Sequence, residues 1–237
     1  MNVMITGASR GIGLELVRYF ARQGNTAIYA LSRNEAALMQ LSAECEVFNN
    51  SSAVHPLIMD LDRLINEPEL ITASFPKEVF HLDILINNAG FLVNKPFLEI
   101  GQDEIGKIFQ VNCVAPALLI RHLMPYMGLK GKTHVVNISS MGGFQGSKKF
   151  PGLSWYSTAK AALACLTECL SEEFFDSDVI FNCLALGSVQ TEMLEEAFPG
   201  YKAPLKASEM AEFIGHFALT AHYYMRGKIV PVSLSNP

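Results

Sequence analysis

The sequence predicts a doubly wound α/β fold, a parallel sheet of about seven strands with helices on both faces, in a single domain over residues 1–237. Three observations carry that reading. Apolar runs of strand length alternate with longer helical patterns along the chain. Several of those runs are apolar almost throughout instead of alternating, which marks strands buried on both faces. No linker, internal repeat or low-complexity tract breaks the alternation.

The elements follow in order. Val3-Met4-Ile5-Thr6 is the first strand, and a helix over residues 11–23 follows it. Gly24 suits the left-handed residue that closes that helix. Further strands are read over residues 27–31, 55–59, 84–87, 134–139, 179–184 and 229–232. Helices are read between them over 35–43, 69–75, 103–127, 154–175 and 208–223, with Ser208 as the N-cap of the last.

Composition narrows the function classes. Half of the residues are apolar and only 17% are charged, which excludes intrinsic disorder and a charged coiled-coil rod. Net charge is −5, and the densest basic spot, Lys148-Lys149, is too small for a nucleic-acid surface. No uninterrupted apolar run reaches the roughly 18 residues of a membrane span, so no membrane partner is expected. The start, Met1-Asn2-Val3-Met4-Ile5, lacks the pattern of a secretory signal. Cys45, Cys113, Cys165, Cys169 and Cys183 are scattered, with no Cys-x-x-Cys, as in reduced thiols of a cytoplasmic protein. Cys165 and Cys169 share a helix face, but no further ligands lie nearby. The six histidines have no metal-binding spacing either, so no metal site is expected.

The first strand runs into Thr6-Gly7-Ala8-Ser9-Arg10-Gly11-Ile12-Gly13. Glycines let a backbone turn tightly and approach a phosphate, and a helix start behind them offers free N–H groups to an anion. The spacing is Gly-x-x-x-Gly-x-Gly, not the usual Gly-x-Gly-x-x-Gly, and no Lys-Ser or Lys-Thr follows as in a Walker loop. The second strand ends in Leu31-Ser32-Arg33, where an NAD site commonly carries an acid for the ribose hydroxyls. Ser32 is neutral, and Arg33 and Arg10 can pair with a 2′-phosphate through planar guanidinium forks. Both positions point to NADP(H).

Tyr156-Ser157-Thr158-Ala159-Lys160 puts Tyr156 and Lys160 four apart on one helix face. An ammonium near a phenol favours phenolate, so the tyrosine can pass a proton near neutral pH. Upstream, Val135-Val136-Asn137-Ile138-Ser139-Ser140 ends a strand with two hydroxyls at the ligand crevice of an open α/β sheet.

Taken together these residues resemble the classical branch of the short-chain dehydrogenase/reductase family, over nearly the whole chain, which implies a Rossmann-like fold. Its cofactor motif is matched by Thr6, Gly7, Ser9, Arg10, Gly11, Ile12 and Gly13, and its Asn-Asn-Ala-Gly segment by Asn87, Asn88, Ala89 and Gly90. Asp60, followed by Leu61, matches the aspartate beside the adenine. Asn112, Ser140, Tyr156 and Lys160 match the catalytic residues. The resemblance implies that Ser140 polarises a carbonyl and Tyr156 protonates it as hydride arrives from the nicotinamide. Lys160 would lower the tyrosine pKa and hold the nicotinamide ribose, and Asn112 would hold a water that leads to solvent. Ser139 is expected to serve the loop instead. The resemblance also implies a homodimer or homotetramer built on the helices over 103–127 and 154–175.

Two departures stand out. Ser140 and Tyr156 are sixteen positions apart, which predicts a longer loop over residues 144–152. After the sixth strand the family's Pro-Gly is Leu186-Gly187 here, with Gly187, Val189 and Thr191 retained for the nicotinamide. Met193, Leu194, Phe198 and Tyr201 form either an apolar lid or a packed surface helix, and the lid is preferred because this stretch shapes the pocket in the resembling family. Phe144 and Trp155 are expected to line that pocket. The whole reading is an NADP(H)-dependent oxidoreductase acting on a small carbonyl compound or secondary alcohol, the alternative being a non-catalytic NADP(H)-binding sensor or scaffold.

Overall fold

The computed structural model describes residues 1–48, 51–73 and 81–234. Its elements are β1 (Asn2–Thr6), α1 (Gly11–Gln23), β2 (Ala27–Ser32), α2 (Glu35–Glu46), β3 (Ala53–Ile58), α3 (Glu69–Ala73) and β4 (Ile84–Asn87). There follow α4 (Gln102–Phe109), α5 (Ala115–Leu123), β5 (Thr133–Ser140), α6 (Ser154–Glu173), β6 (Val179–Leu186) and β7 (Val189–Gln190). The chain continues through α7 (Glu192–Ala197), β8 (Leu205–Lys206), α8 (Ala207–Thr220) and β9 (Ile229–Val232).

Seven strands pair in parallel in the order β3-β2-β1-β4-β5-β6-β9. The chain runs outward from β1 to β3, then returns to lay β4 on the other side of β1. The order therefore reverses between β1 and β4, and a crevice opens at their carboxyl ends. Successive strand residues face opposite sides. Val3 and Ile5 pack with Leu16, Val17, Phe20, Leu38, Ile214 and Phe217, from α1, α2 and α8. Met4 packs on the other face, in the layer that holds Leu119, Leu123, Val135 and Phe181.

The helix expected over 103–127 is interrupted. Between α4 and α5 lies one π-helical stretch, Gln110–Val114, and a 3₁₀ turn, Met124–Tyr126, ends the run. Pro116 is the cause we assign: it has no N–H for the α-helical bond to the Asn112 carbonyl, and the Ala115 amide already bonds to the Gln110 carbonyl, five residues back. The whole run Gln102–Tyr126 is long and apolar enough, by length and composition, to cross a membrane. Its apolar side, Ala115, Leu119, Ile120 and Leu123, is buried in the core with Leu85 and Phe181.

Other boundaries also move. β3 starts at Ala53, because its register pairs Ala27 with Ala53, and Pro56 is tolerated in this edge strand. Helix α8 begins at Ala207, so its N-cap is Lys206, whose amide donates to Glu209 at 2.7 Å, and Ser208 lies inside the first turn. Gly24 has φ 75°, as its place after α1 required. The helix read over 69–75 is described only as α3, and Phe75 lies outside the described residues. The short pair β7–β8 and helix α7 were not read from the sequence.

Candidate active site

A cleft of about 590 Å³ opens above the carboxyl ends of the strands, from the glycine turn to α7. That is the size of a cofactor-and-substrate cavity. Its inner end is shaped by backbone. Gly7 has φ 70°, and a Cβ there would lie 2.9 Å from the Cα of Ala89. A Cβ on Gly13 would lie 2.1 Å from the Gly7 carbonyl oxygen. The two segments are also hydrogen-bonded: the Thr6 hydroxyl accepts from the amides of Asn88 (3.0 Å) and Ala89 (2.9 Å), and Asn88 Nδ2 donates to the Thr6 carbonyl (2.9 Å).

Gly7, Ser9, Arg10, Gly11 and Ile12 line the cleft, as do Ser32, Arg33, Asp60, Leu61, Asn88, Ala89, Gly90, Gly187, Val189 and Thr191. Thr6 and Gly13 do not. Thr6 is buried with its hydroxyl spent on the Asn88–Ala89 backbone, and Gly13 packs against Gly7, so both shape the cradle from behind. Ser32 donates to Ser9 at 2.7 Å, which closes the floor between β2 and the turn with neutral groups. Arg33 lies 3.7 Å from Asp60 and is largely exposed, while Arg10 is paired to Glu196 at 2.5 Å. This cradle fits a dinucleotide: side-chain-free backbone at a helix start, two arginines at the rim, and an elongated cleft beyond.

Strand β5 and helix α6 bring the reacting side chains together. Ser140 is the last residue of β5, its Oγ accepting from the Gly142 amide at 3.1 Å. Tyr156, from α6, lines the cleft beside Ser140. Lys160, one turn further along α6, is buried, with Nζ donating to the Ile138 carbonyl at 2.9 Å. Nζ lies 5.8 Å from the centre of the Tyr156 ring. Burial pushes the Tyr156 phenol up to about 12, opposed by the nearby Ser140 hydroxyl. Burial brings Lys160 down to about 8. The expected lowering of Tyr156 by Lys160 does not appear: taking the phenol out of water raises it, and Ser140, not Lys160, is the neighbour that opposes the rise.

Asn112 sits in the π-helical stretch, fully buried and outside the cleft lining. Its Nδ2 donates to the carbonyls of Phe91 (2.7 Å) and Ile108 (2.8 Å), and its Oδ1 accepts from the Phe91 amide (3.2 Å). Its side chain therefore holds the segment after Gly90 in place. Ser139 lines the cleft, but its hydroxyl donates to the Lys160 carbonyl (2.8 Å), tying β5 to α6.

The outer cleft is apolar, with Phe91, Leu92, Phe150, Leu153, Leu186 and the expected Met193, Leu194, Phe198 and Tyr201. Phe144 and Trp155 are not in its lining. Trp155 turns outward and stacks on Phe97, ring centres 5.7 Å apart. The longer loop over 144–152 is wrapped around Lys149, whose Nζ donates to the carbonyls of Gly142 and Phe144 and to Ser147.

Sequence reasoning missed Asn94, Lys149 and Glu196, which hold the outer wall, and a buried chain behind the site. There Asn87 donates to Asn137 (2.8 Å), and Asn137 to Thr167 (2.9 Å), joining β4, β5 and α6. A signal for that chain existed, since an asparagine inside an apolar strand needs a partner. Among the described residues no group of three or more potential metal ligands occurs.

Comparisons with known proteins agree with this geometry. A family model described as short chain dehydrogenase matches residues 1–202. An NADP-dependent 3-hydroxy acid dehydrogenase of Schizosaccharomyces pombe is 29% identical over 230 residues, 92% of this chain and 86% of that one. The 3-oxoacyl-acyl-carrier-protein reductase FabG of Aquifex aeolicus is 28% identical, over 97% of this chain and 94% of its own. Among solved structures, one from Beutenbergia cavernae described as an NAD(P)-dependent gluconate 5-dehydrogenase, with NADP bound at low occupancy, superposes with a TM-score of 0.86 at 24% identity. It covers 98% of this chain and 94% of that one.

Proposed function

We propose that this chain, which belongs to the short-chain dehydrogenase family, is an NADP(H)-dependent oxidoreductase that interconverts an uncharged, largely apolar carbonyl compound and its secondary alcohol. The single observation that carries the reading is that Ser140, Tyr156 and Lys160 line together the cleft that begins at the glycine turn, with Lys160 Nζ 5.8 Å from the Tyr156 ring centre. NADP(H), when bound, supplies or takes up the hydride.

The chain's own residues do the rest. Ser140 donates to the substrate oxygen and fixes its place beside the Tyr156 hydroxyl. Tyr156, held protonated by burial, gives that oxygen its proton in reduction and must first lose its own in oxidation. The Lys160 ammonium steadies the phenolate left behind and would hold the cofactor ribose. Asn112 acts by positioning Phe91 and the turn after Gly90. Arg10 and Arg33 favour a ribose phosphate, and no acid at Ser32 repels it. The Phe91, Leu92, Leu153, Met193 and Phe198 walls favour an apolar substrate, and the Lys107 ammonium among them lies over the Phe91 ring at 5.0 Å from its centre. A homodimer or homotetramer through the α4–α5 and α6 faces belongs to the same reading. On α6 it would cover the exposed Cys165 and Cys169.

NADPH oxidation at 340 nm against a panel of apolar ketones and aldehydes tests the activity. Turnover that needs Tyr156 is the expected result. NADPH binding with no turnover across the panel would leave a binding protein in its place.

A further inference from the structure

We propose that Glu196 is a cofactor-specificity residue: it competes with the ribose phosphate for Arg10, so that phosphate recognition also unties α7. The inference rests on the NADP(H) reading above and concerns a contact that reading does not use.

Arg10 stands in the glycine turn, where its guanidinium lines the cleft. The same guanidinium spans to the far wall: Nη1 meets Glu196 Oε1 at 2.5 Å, across 186 residues of sequence. Both side chains are about half exposed or more, so neither is committed by burial. A guanidinium fork presented with a phosphate of nearly two negative charges favours it over a single carboxylate. Glu196 does not face the turn alone. Glu192 Oε2 lies 3.4 Å from where a Cβ on Gly11 would stand. A phosphate arriving at Arg10 therefore meets acids from α7, and like charges at that range repel.

A second contact holds α7 and is indifferent to this exchange. Asn94 Nδ2 donates to the Ala197 carbonyl at 2.9 Å, from the loop on the other side of the cleft mouth. Helix α7 thus has one ionic tether on the cofactor side and one neutral tether on the substrate side. Phosphate at Arg10 removes the first and leaves the second. A cofactor without the phosphate leaves both. Met193 and Leu194, which line the cleft from α7, then sit on a looser wall with NADP(H) than with NAD(H).

The test uses the whole chain, with NADPH and NADH titrated by fluorescence into wild type, Glu196→Gln and Arg10→Ala. Hydrogen exchange of the 192–198 amides is followed with NADP⁺ or NAD⁺. Glu196→Gln should tighten NADPH about two- to five-fold, the range of an exposed ion pair, and leave NADH unchanged. Wild-type 192–198 amides should exchange faster with NADP⁺ than with NAD⁺, and Glu196→Gln should erase the difference. Unchanged NADPH affinity, or equal tightening of both cofactors, overturns the competition. If Arg10→Ala lowers NADPH preference while Glu196→Gln is silent, the cofactor reading stands and this inference falls. If Arg10→Ala leaves the preference intact, Arg10 does not hold the phosphate, and the inference falls with that assignment.

Discussion

The two ends of the cleft are built by different means. At the inner end, Gly7, Gly13, Thr6 and Asn88 interlock backbone against backbone, with side chains that reach no further than their neighbours. At the outer end, α7 and the loops over 91–101 and 144–152 are held by long polar side chains. Arg10 reaches Glu196, Asn94 reaches Ala197, Lys95 reaches Glu104, and Lys149 gathers oxygens of Gly142, Phe144 and Ser147. Interlocked backbone has one arrangement and fails abruptly when an atom is added. Exposed polar tethers are each worth little and can be exchanged one at a time. A site with a fixed cradle and a tethered wall can keep one cofactor while the wall is adapted to different substrates.

Substitutions at the two ends, and at the residues between them, test this contrast. The largest effect is expected between them. Tyr156→Phe should lower kcat by about 10²–10⁴-fold while NADPH affinity stays within about two-fold, since only the movable proton is deleted. A variant that reduces a confirmed substrate at near wild-type rate would move the chemistry to another acid. The same proton sets a pH dependence. Burial raises the Tyr156 pKa to about 12, so phenolate is scarce at neutral pH. Between pH 6 and about 8, where Lys160 still holds its proton, alcohol oxidation should climb with pH. Carbonyl reduction, which needs the phenol protonated, should not. Rate profiles in both directions check the sign.

Next come matched glycine substitutions. Gly13→Ala forces a methyl to 2.1 Å from the Gly7 carbonyl oxygen and should destabilise the fold by about 3 kcal/mol or more, seen as a drop in urea midpoint. Gly146→Ala, in the outer loop, meets nothing within 4 Å and has only its φ of 80° to strain, so about 1–2 kcal/mol is expected. Equal losses would erase the distinction between cradle and wall. Smallest is the cofactor rim: Arg33→Ala should weaken NADPH by about 1–2 kcal/mol and spare NADH, measured by titration, because this exposed cation has only a 3.7 Å partner in Asp60.

The contrast also explains what could be read in advance. The inner end was legible because local rules govern it: glycines at fixed spacing, a strand before them and a helix after. Tyr156 and Lys160 share a face by helix geometry alone, and Ser140 ends a strand whose apolar run announces it. Contacts that depend on partners from elsewhere were not legible. The Asn112 side-chain amide is spent on Phe91 and Ile108, a commitment that exists only once the loop after Gly90 folds over the π-helical stretch. Trp155 was placed in the pocket because it precedes Tyr156, but neighbours on a helix point about 100° apart, and Phe97 claims its face.

By itself, then, the sequence determined the order of the seven strands of the main sheet and of its larger helices, the glycine turn and the residue types that can move a proton. Each of these follows from periodicity and spacing over a few residues. Tertiary structure alone decided that Arg10 meets Glu196, that Asn94 meets Ala197, and that burial holds the Tyr156 proton in place. Those outcomes depend on which distant surfaces come together and how much water they exclude, and neither quantity is written in any local stretch of the chain.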